Sequence, residues 1–241
     1  MGDLPDYTRE MVLKGAAGFT GLEELAARLG SIVPWDVKGN IVLMEDFESE
    51  LTEWTDDSDV GCSATRSSRH KYSGDWAVKL YQPAGLAAGT PSLYRYFHFP
   101  GTTKYAAFAR FYWDAGGKTS WLWVKLRNGT TEFYIEVDFY YLTSTLSVIT
   151  TGGAYYDITA AVGLLPPGNA WFPVLVTFDL ESGYYDKLYV GDTEYDISSV
   201  ALYSTPLVSY PSGSIGVQAN TVSEGSTTTY VDDIIIAKNV P

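Results

Sequence analysis

Residues 119–141 read TSWLWVKLRNGTTEFYIEVDFYY, and this stretch decides the fold class. Apolar and polar side chains alternate on both sides of Asn128-Gly129, which is the period of β-strands whose two faces meet different surroundings. Asn-Gly is a strong signal for a two-residue hairpin turn, because both central positions of such a turn favour positive φ. The stretch therefore predicts an antiparallel hairpin in which Trp123 faces Tyr134.

The two faces of this hairpin differ in composition. One face is uniformly apolar and is the predicted core face: Leu122, Val124, Leu126, Phe133, Ile135, Val137 and Phe139. The other face combines aromatic rings with charged groups and is the predicted ligand-binding face: Trp121, Trp123, Lys125, Tyr134, Glu136, Asp138 and Tyr140. Aromatic rings can stack on the C–H faces of pyranose rings while charged groups bind the hydroxyls, so this face suits sugars. The alternatives are that the N-terminal segment or a partner subunit covers the rings, or that they form cross-strand pairs.

The chain from residue 41 onward repeats the strand pattern. Short runs rich in Val, Ile, Tyr, Phe and Thr are separated by Gly, Asn, Asp and Pro, and no long helical pattern interrupts them. Strands without intervening helices pack as two antiparallel sheets. We therefore predict an all-β fold, a two-sheet antiparallel jelly-roll sandwich over residues 41–241. The thirteen predicted strands are 41–48, 60–66, 75–81, 92–99, 104–113, 119–127, 130–141, 145–149, 171–180, 185–190, 193–197, 213–219 and 228–237.

Residues 1–40 differ from the rest and are predicted to form an N-terminal arm. Thr20-Gly21-Leu22-Glu23 is a capping box, and a short apolar stripe follows it at helical spacing, which predicts one helix over about 20–29. A helix of this length is not stable alone, so it must dock on other structure. It docks either on its own sandwich or on a neighbouring subunit. The second arrangement makes protein subunits, in a homo-oligomer, the expected partners.

Composition limits the other partners. Sixteen Lys and Arg oppose 29 Asp and Glu, giving a formal net charge of −13. A phosphate backbone requires clustered cations, so we expect no nucleic-acid partner. No segment approaches the ~20 apolar residues of a membrane helix, which predicts no membrane insertion. Charged residues interrupt the region where the apolar part of a signal peptide would lie. The expected localisation is therefore synthesis in the cytoplasm, followed by incorporation into a virion or an extracellular assembly.

Several of the predicted strands resemble those of a known fold family. Residues 171–179 (WFPVLVTFD), 186–192 (DKLYVGD) and 230–236 (YVDDIII) resemble consecutive strands of concanavalin A-like, laminin-G-like sandwiches. The segments EDFE (45–48), ATR (64–66) and YSG (72–74) are similar to jelly-roll carbohydrate-binding modules. The likeness covers roughly residues 42–238. Its motifs are short and mostly hydrophobic, so it implies a fold more than a function.

The resemblance also implies a structural calcium ion. In such modules, acidic groups on the first and last strands share calcium with main-chain oxygens of the Ser-Gly loop, and the matching positions here are Asp46, Glu48 and Asp232. Calcium favours hard oxygen ligands from distant segments. Acidic residues at strand ends are also common in a chain of this charge, and no contiguous calcium-binding motif is present. We expect no required cofactor, and the calcium ion would be structural.

The catalytic alternative depends on Glu136 and Asp138. Concanavalin A-like glucanases carry Glu-x-Asp followed by a third carboxylate on one strand, and Glu136-Val137-Asp138 is similar to the first half of that motif. Tyr140 and Tyr141 occupy the place of the third carboxylate, so the pair needed for retaining hydrolysis is incomplete. The chain has two histidines and no Gly-x-Ser-x-Gly motif. We therefore expect that it is not an enzyme.

Three functions stay open from the sequence. The leading prediction is a non-catalytic structural or attachment component of a virion-like particle or surface assembly, with glycan binding on the aromatic side of the hairpin. The alternative is a free-standing carbohydrate-binding module. The least favoured is a glycoside hydrolase of the glucanase type. Removing residues 1–40 separates the first two, because an assembly component loses oligomerisation whereas a module remains a sugar-binding monomer.

Overall fold

Two eight-stranded sheets pack face to face in a computed structural model of the protein. The structure is described for residues 40–86, 89–99, 101, 103–114, 119–140, 145–160, 170–220 and 226–240. Two single-turn 3-10 helices, Leu51–Glu53 and Thr151–Gly153, accompany the strands. Within these ranges the strands are β1 (Asn40–Glu45), β2 (Thr55–Asp56), β3 (Ser63–Ser67), β4 (Ala77–Gln82), β5 (Ser92–Phe97), β6 (Lys104–Trp113), β7 (Thr119–Arg127), β8 (Thr131–Tyr140), β9 (Thr145–Thr150), β10 (Ala154–Ala160), β11 (Trp171–Asp179), β12 (Tyr184–Val190), β13 (Thr193–Asp196), β14 (Tyr203–Pro206), β15 (Ser212–Asn220) and β16 (Thr227–Lys238).

The strand order interleaves the two halves of the chain. The first sheet runs β13-β12-β11-β6-β16-β4-β3, and β1 pairs with the C-terminal half of β16. The second sheet runs β10-β9-β8-β7-β15-β5-β2, and β14 pairs with β8. The pairings among the described strands are antiparallel. The predicted all-β, two-sheet jelly-roll sandwich is therefore confirmed. The predicted arm and its helix at 20–29 lie outside the described residues.

Each of the thirteen predicted strands corresponds to a strand of the structure, and three further strands were missed. β2 has two residues, β14 has four and ends in Pro206, and β10 has the mixed sequence AYYDITA. All three are paired through a single neighbouring strand. Such edge strands carry no alternating apolar pattern, because much of their surface faces solvent. The sequence therefore offers no periodic signal for them.

The register of the β7–β8 hairpin differs from the prediction by two residues. Trp123 pairs with Glu136, and Lys125 pairs with Tyr134. The expected pairing of Trp123 with Tyr134 is therefore wrong. A shift of one residue would have moved every side chain to the opposite face, whereas a shift of two preserves the faces. The division of the hairpin into a core face and an outer face is confirmed, and its seven predicted core residues are all buried.

The cause of this shift is the turn itself. Its central residues are Gly129 and Thr130, and Gly129 has a φ of 105°. Asn128 closes the turn, because its N–H donates to the carbonyl of Thr131 at 3.1 Å and its Oδ1 accepts from the N–H of Thr131 at 2.9 Å. The asparagine side chain thus replaces a backbone partner. The Asn-Gly signal located the hairpin correctly but placed its centre one residue early.

The core lies between the sheets and is rich in aromatic side chains. Phe111 and Phe172 from the first sheet contact Phe139 from the second, with ring centroids 5.5 and 5.8 Å from it. Tyr185 of the first sheet crosses the core, where its hydroxyl donates to the carbonyl of Ile149 at 2.9 Å and accepts from the N–H of Glu136 at 3.4 Å. Both backbone groups belong to the second sheet. Tyr185 therefore supports the backbone beneath the outer face of β8.

The first sheet carries a small apolar cluster on the face opposite the core. Its members are Ala106, Phe108, Leu175, Ile235 and Ala237, which are all buried. Ile41 pairs with Ala237 and Met44 with Ile235, so these two residues share that face, and they are 58% and 52% exposed. The cluster thus continues onto β1, where the described chain begins. Within the described ranges, no helix is long and apolar enough to cross a membrane.

Candidate functional site

The outer face of the second sheet carries most of the predicted ligand-binding residues. We call it the aromatic face, and it is formed by outward side chains of β5, β15, β7 and β8. Strand alternation places Trp121, Trp123 and Lys125 of β7 on this face, and the pairing with β8 sets them opposite Asp138, Glu136 and Tyr134 in that order. The alternation seen in the sequence therefore assembles these six side chains on one surface.

A groove of about 250 Å³ lies on the aromatic face. It contains three of the predicted residues, namely Trp123, Lys125 and Tyr134. The full lining consists of Asp57, Tyr94, Tyr96, Trp123, Lys125, Arg127, Tyr134, Ser212, Ser214 and Gln218. Aromatic rings, hydroxyls, an amide and charged groups thus converge in one concave site. Such a combination is typical of small-ligand sites.

Trp123 forms the floor of the groove. Its ring lies against Gly216 of β15, and it packs between Tyr94 and Tyr134, with ring centroids 6.0 and 6.2 Å away. The side chain is only 8% exposed. Its indole Nε1–H is buried and finds no acceptor among the described residues. The floor therefore offers the edge of an apolar ring, whereas the indole N–H itself lies within the protein against β15.

Tyr96 forms an exposed wall of the same groove. It is 62% exposed, whereas the neighbouring Tyr94 packs edge-on against it with ring centroids 5.4 Å apart. Beside them, Gln218 donates its amide to the hydroxyl of Ser92 at 3.0 Å, which fixes the amide's orientation. The wall thus combines an accessible aromatic ring with a positioned polar group. A sugar ring stacked on Tyr96 would lie within the groove.

A cluster of carboxylates and tyrosines lies beside the groove on β8. Glu136 is buried and accepts hydrogen bonds from the hydroxyls of Tyr134 and of Tyr155, the latter at 2.6 Å. Burial, together with the charge of Glu136, raises the pKa of both tyrosines well above their usual range. The two hydroxyls therefore remain protonated donors, and they hold the carboxylate of Glu136 in place.

Asp138 is the second carboxylate of this cluster. Burial, together with the nearby charge of Glu136, raises the pKa of Asp138 to about 7, although a hydrogen bond with Trp121 opposes the shift. Its Oδ1 is buried and has no hydrogen-bond partner among the described residues. At neutral pH this carboxyl group is poised between its two protonation states. It can either donate to a ligand hydroxyl or accept from one.

The carboxylate pair differs from the pair of a retaining hydrolase. Glu136 and Asp138 lie two residues apart on one face of β8, so their Cα atoms are about 6.6 Å apart. Both oxygens of Glu136 accept tyrosine hydroxyls, so neither is free for nucleophilic attack. Tyr140 lies at the end of β8 opposite Thr119, outside the lining of the groove. The arrangement offers hydrogen-bonding groups to a ligand more readily than a nucleophile and an acid.

The residues predicted to bind calcium anchor a loop at the edge of the sandwich. Asp232 Oδ2 accepts the backbone N–H groups of Tyr72 and Ser73 at 2.9 and 3.1 Å. Glu48 Oε1 accepts those of residues 75 and 76 at 2.7 and 2.9 Å. Glu48, which follows the end of β1, and Asp232 of β16 therefore hold the Ser-Gly loop between them, on the opposite sheet from the groove.

The charge at this loop is unbalanced. Asp232 and Asp233 are both fully buried, and Arg110 pairs with Asp233. Burial and the charge of Asp233 raise the pKa of Asp232 to about 8. Burial also raises the pKa of Asp233 to about 6, although Arg110 opposes this shift and the charge of Asp46 adds to it. A cation here would relieve this repulsion. No three acidic, His or Cys side chains converge in the described ranges, so calcium would also need main-chain or water oxygens. Calcium at Asp46, Glu48 and Asp232 stays a prediction.

A second cavity of about 230 Å³ lies at the edge of the first sheet. Its lining includes Lys104, Asp179, Tyr184 and Asp186. Tyr184 is 44% exposed, but the described residues of the lining include no tryptophan. The groove on the aromatic face has the richer set of rings and hydrogen-bonding groups, and it is the better candidate site.

Sequence reasoning missed seven of the ten residues that line the groove. Tyr94 and Tyr96 alternate along β5, and this signal is visible in the sequence, but their position beside Trp123 is not. β15 separates β5 from β7, and it contributes Ser214 and Gln218 to the lining. This pairing joins segments about 90 residues apart. No local pattern specifies such a partner.

Comparisons with known proteins identify the fold. No protein-family model matches the chain, and no curated protein matches it in sequence. Among solved structures, lectin I-B4 of Griffonia simplicifolia in its metal-free form matches with a TM-score of 0.53 and 10% identity, over 82% of this chain and 99% of the lectin. A carbohydrate esterase of the Shiga toxin-encoding bacteriophage phi24B matches with a TM-score of 0.50 and 16% identity, over 83% and 99% of the two chains. A family 16 carbohydrate-binding module matches with a TM-score of 0.44 and 13% identity, over 83% and 100%. The chain has the concanavalin A-like, jelly-roll fold that the sequence resembles.

Proposed function

We propose that this protein binds glycans in the groove on the aromatic face. The observation that carries the proposal is the set of groups that converge in the groove, where Trp123 lies among tyrosines and beside Lys125 and Gln218. The exposed ring of Tyr96 supplies the apolar contact that the C–H face of a sugar needs, and the neighbouring polar side chains can bind its hydroxyls.

The chemistry of the rest of the aromatic face supports the same ligand class. Asp138 exchanges between donor and acceptor near neutral pH. Sugar hydroxyls are both donors and acceptors, so they match groups of both kinds. The two neighbours with the highest TM-scores above are a lectin and a carbohydrate esterase, so this fold serves carbohydrate recognition or chemistry in other proteins.

We propose that the binding is not accompanied by catalysis. The oxygens of Glu136 are both engaged by tyrosine hydroxyls, and Tyr140 stands where a glucanase-type motif carries its third carboxylate. A hydrolase of that type needs one free nucleophile and one acid. Incubation with the oligosaccharide that binds best, followed by chromatography, tests this proposal. Shortened products that disappear in Glu136→Gln would contradict it.

Glycan binding is tested by a glycan array, followed by titration calorimetry with the best ligand. Tyr96→Ala removes the exposed wall of the groove and is expected to weaken binding about 5–30-fold, because an exposed ring contributes little to the fold. Tyr184→Ala is the matched control, since Tyr184 is a comparably exposed tyrosine on the first sheet. Equal loss of affinity in both variants, or no binding to any glycan, contradicts the proposal.

A second candidate, compatible with the first, is that the protein is a component of a virion-like particle or surface assembly. The observation favouring it is the apolar cluster on the first sheet, which continues onto β1 through the exposed Ile41 and Met44. Exposed apolar patches of this kind mark protein interfaces. We propose that this face and the predicted N-terminal arm, residues 1–40, contact other subunits.

Light scattering across a concentration series tests this second candidate. We expect the full chain to form an oligomer, and the double variant Ile41→Ser, Met44→Ser to dissociate at higher concentrations than the wild type. A protein that stays monomeric at all concentrations contradicts the assembly role. That result leaves glycan binding intact and favours a free-standing carbohydrate-binding module.

A further inference from the structure

The groove contains a cation, Lys125, that forms no ion pair with a carboxylate of the described residues. Lys125 lines the groove from β7, between Ser214 of β15 and Tyr134 of β8. Its ammonium group is 5.6 Å from the ring centroid of Trp123 and 5.3 Å from that of Tyr134. The ion pairs of the described residues do not include it. This is notable in a chain in which 29 acidic residues face 16 basic ones.

The neighbouring cation on β7 is already paired with a carboxylate. Arg127, two residues along β7, pairs with Glu132 at 2.6 Å, so its charge is already offset within the protein. Lys125 instead rests over two aromatic rings, which attract a cation but do not neutralise it. An anion binds more strongly to a partly dehydrated ammonium group in this position than to a fully hydrated ammonium group. The groove therefore retains one unbalanced positive charge at this point.

Apart from Glu132, which pairs with Arg127, the acidic groups that β8 places on the aromatic face lie to one side of Lys125. Glu136 pairs with Trp123, and Asp138 pairs with Trp121, which is four residues from Lys125 along the strand. Four residues of a strand span about 13 Å, or two to three sugar units. The third carboxylate near the groove, Asp57, lines it from the end of β2, on the far side of β5 and β15. The site therefore has a cationic end at Lys125 and an acidic end at Asp138.

We infer that the groove recognises acidic glycans, with an anionic substituent bound to Lys125 and neutral hydroxyls directed toward Glu136 and Asp138. This inference rests on the proposed glycan-binding function and specifies its ligand class. Uronate and sialate carboxylates and sulfate esters share the chemistry that Lys125 recognises. The opposite orientation would bring the anion to the two carboxylates, where charge repulsion disfavours it.

The test begins with an array that holds neutral oligosaccharides beside uronate-, sialate- and sulfate-bearing ones. The best ligand is then compared with its neutralised form, methyl-esterified if it carries carboxylates and desulfated if it carries sulfates. We expect acidic glycans to rank first and neutralisation to weaken binding to the wild type at least tenfold. The two neutralised forms distinguish a carboxylate ligand from a sulfate ligand.

Variants of Lys125 test whether this residue causes the preference for acidic glycans. Lys125→Gln is expected to lose at least tenfold in affinity for the acidic ligand and less than twofold for its neutralised form, whereas Lys125→Arg retains most of the affinity. Lys79→Gln is the matched control, because Lys79 also lies over a tyrosine ring, 4.6 Å from that of Tyr81, but on the first sheet. The affinity of Lys79→Gln for the acidic ligand should equal that of the wild type.

The outcomes separate this inference from the proposed function. If neutral glycans bind best, or if neutralisation weakens the wild type and Lys125→Gln equally, acid recognition is wrong and glycan binding survives. If Tyr96→Ala weakens binding but Lys125→Gln does not, the groove is the site and Lys125 is not its selective element. If no glycan binds at all, both proposals fail together.

Discussion

Trp123 lies directly against the backbone of Gly216, the residue opposite it on β15. A Cβ atom built at position 216 would stand 2.3 Å from Cζ2 of the indole ring, which is closer than such atoms approach in folded proteins. Only glycine lets the ring lie this close to the neighbouring strand. The absence of a side chain at position 216 therefore sets the depth of the groove floor, and with it the position of the indole N–H.

Replacing Gly216 by alanine should lift the Trp123 ring and disrupt the groove. We expect Gly216→Ala to weaken glycan binding at least tenfold and to destabilise the fold by about 1–3 kcal/mol through overpacking. Gly213→Ala is the matched control. A Cβ there meets the Phe97 ring at 2.4 Å, and Phe97 packs against the core. Calorimetric titration and thermal melts should therefore show a comparable loss of stability in both variants, but a loss of binding only in Gly216→Ala. Equal binding in the two would contradict the role of the floor.

The two tryptophans of β7 should respond differently to removal. Trp121 is half-buried, so Trp121→Ala should weaken glycan binding by about 1–2 kcal/mol and leave the fold stable. Trp123 is 8% exposed and packs against Tyr94 and Tyr134, so Trp123→Ala should also lower the free energy of unfolding, by about 1–3 kcal/mol. Chemical denaturation and calorimetry measure both quantities. If Trp121→Ala unfolds, or if Trp123→Ala is as stable as the wild type, the result contradicts the burial of these two rings.

Asp138 should make the protein less stable as the pH rises. Its pKa is about 7 in the fold and near its ordinary value of 3.8 when unfolded, so between these values the folded state binds more protons. Stability therefore falls as pH rises through this window, and the loss is complete above pH 7. Asp138→Asn removes this part of the dependence and should melt at a higher temperature than the wild type at pH 8.

The control for this measurement is Asp192→Asn, because Asp192 is an exposed carboxylate between β12 and β13 of the first sheet, far from Asp138 in the fold. That variant should follow the wild-type curve between pH 5 and 8. Asp232 and Asp233 also have raised pKa values, and they account for the remaining dependence of stability on pH in both variants. Identical pH profiles for the wild type and Asp138→Asn would contradict the burial of this carboxyl group.

Calcium should stabilise the fold if it binds at the Ser-Gly loop. Binding to the folded state alone raises its stability by about 2.7 kcal/mol at one hundred times the dissociation constant. We expect the melting temperature at pH 7.5 to be higher with calcium than with a chelator, and this difference to vanish in Asp232→Asn. Magnesium serves as the control ion. Superimposable melting curves with calcium and chelator would remove the calcium prediction.

The sequence predicted the fold class and the two faces because both depend on local alternation. Residues 119–141 alternate without interruption, so even the error of two residues in register left Trp123 and Lys125 on the correct face. The register itself depended on how the side chain of Asn128 completes the turn. That choice between neighbouring turn positions involves a single side-chain hydrogen bond, which residue spacing alone does not reveal.

The concave shape of the site could not be predicted in the same way. Gly216 and Gln218 reach the groove because β15 lies between β5 and β7, a pairing of segments far apart in the chain. The near-complete burial of Trp123 follows from the glycine on that distant strand. Alternation shows which face a side chain occupies, but the depth at which it lies depends on the strands that neighbour it.

The most direct test of the account is nuclear magnetic resonance of the indole N–H groups during titration with the best-binding glycan. The resonance of Trp123 Nε1–H, which has no acceptor in the described structure, should shift strongly as ligand is added. Those of Trp113, bonded to Ser120 at 2.8 Å, and of Trp54, bonded to Glu45 at 3.0 Å, should stay in place. An unmoved Trp123 resonance at saturating glycan would contradict the claim that the groove on the aromatic face is the binding site.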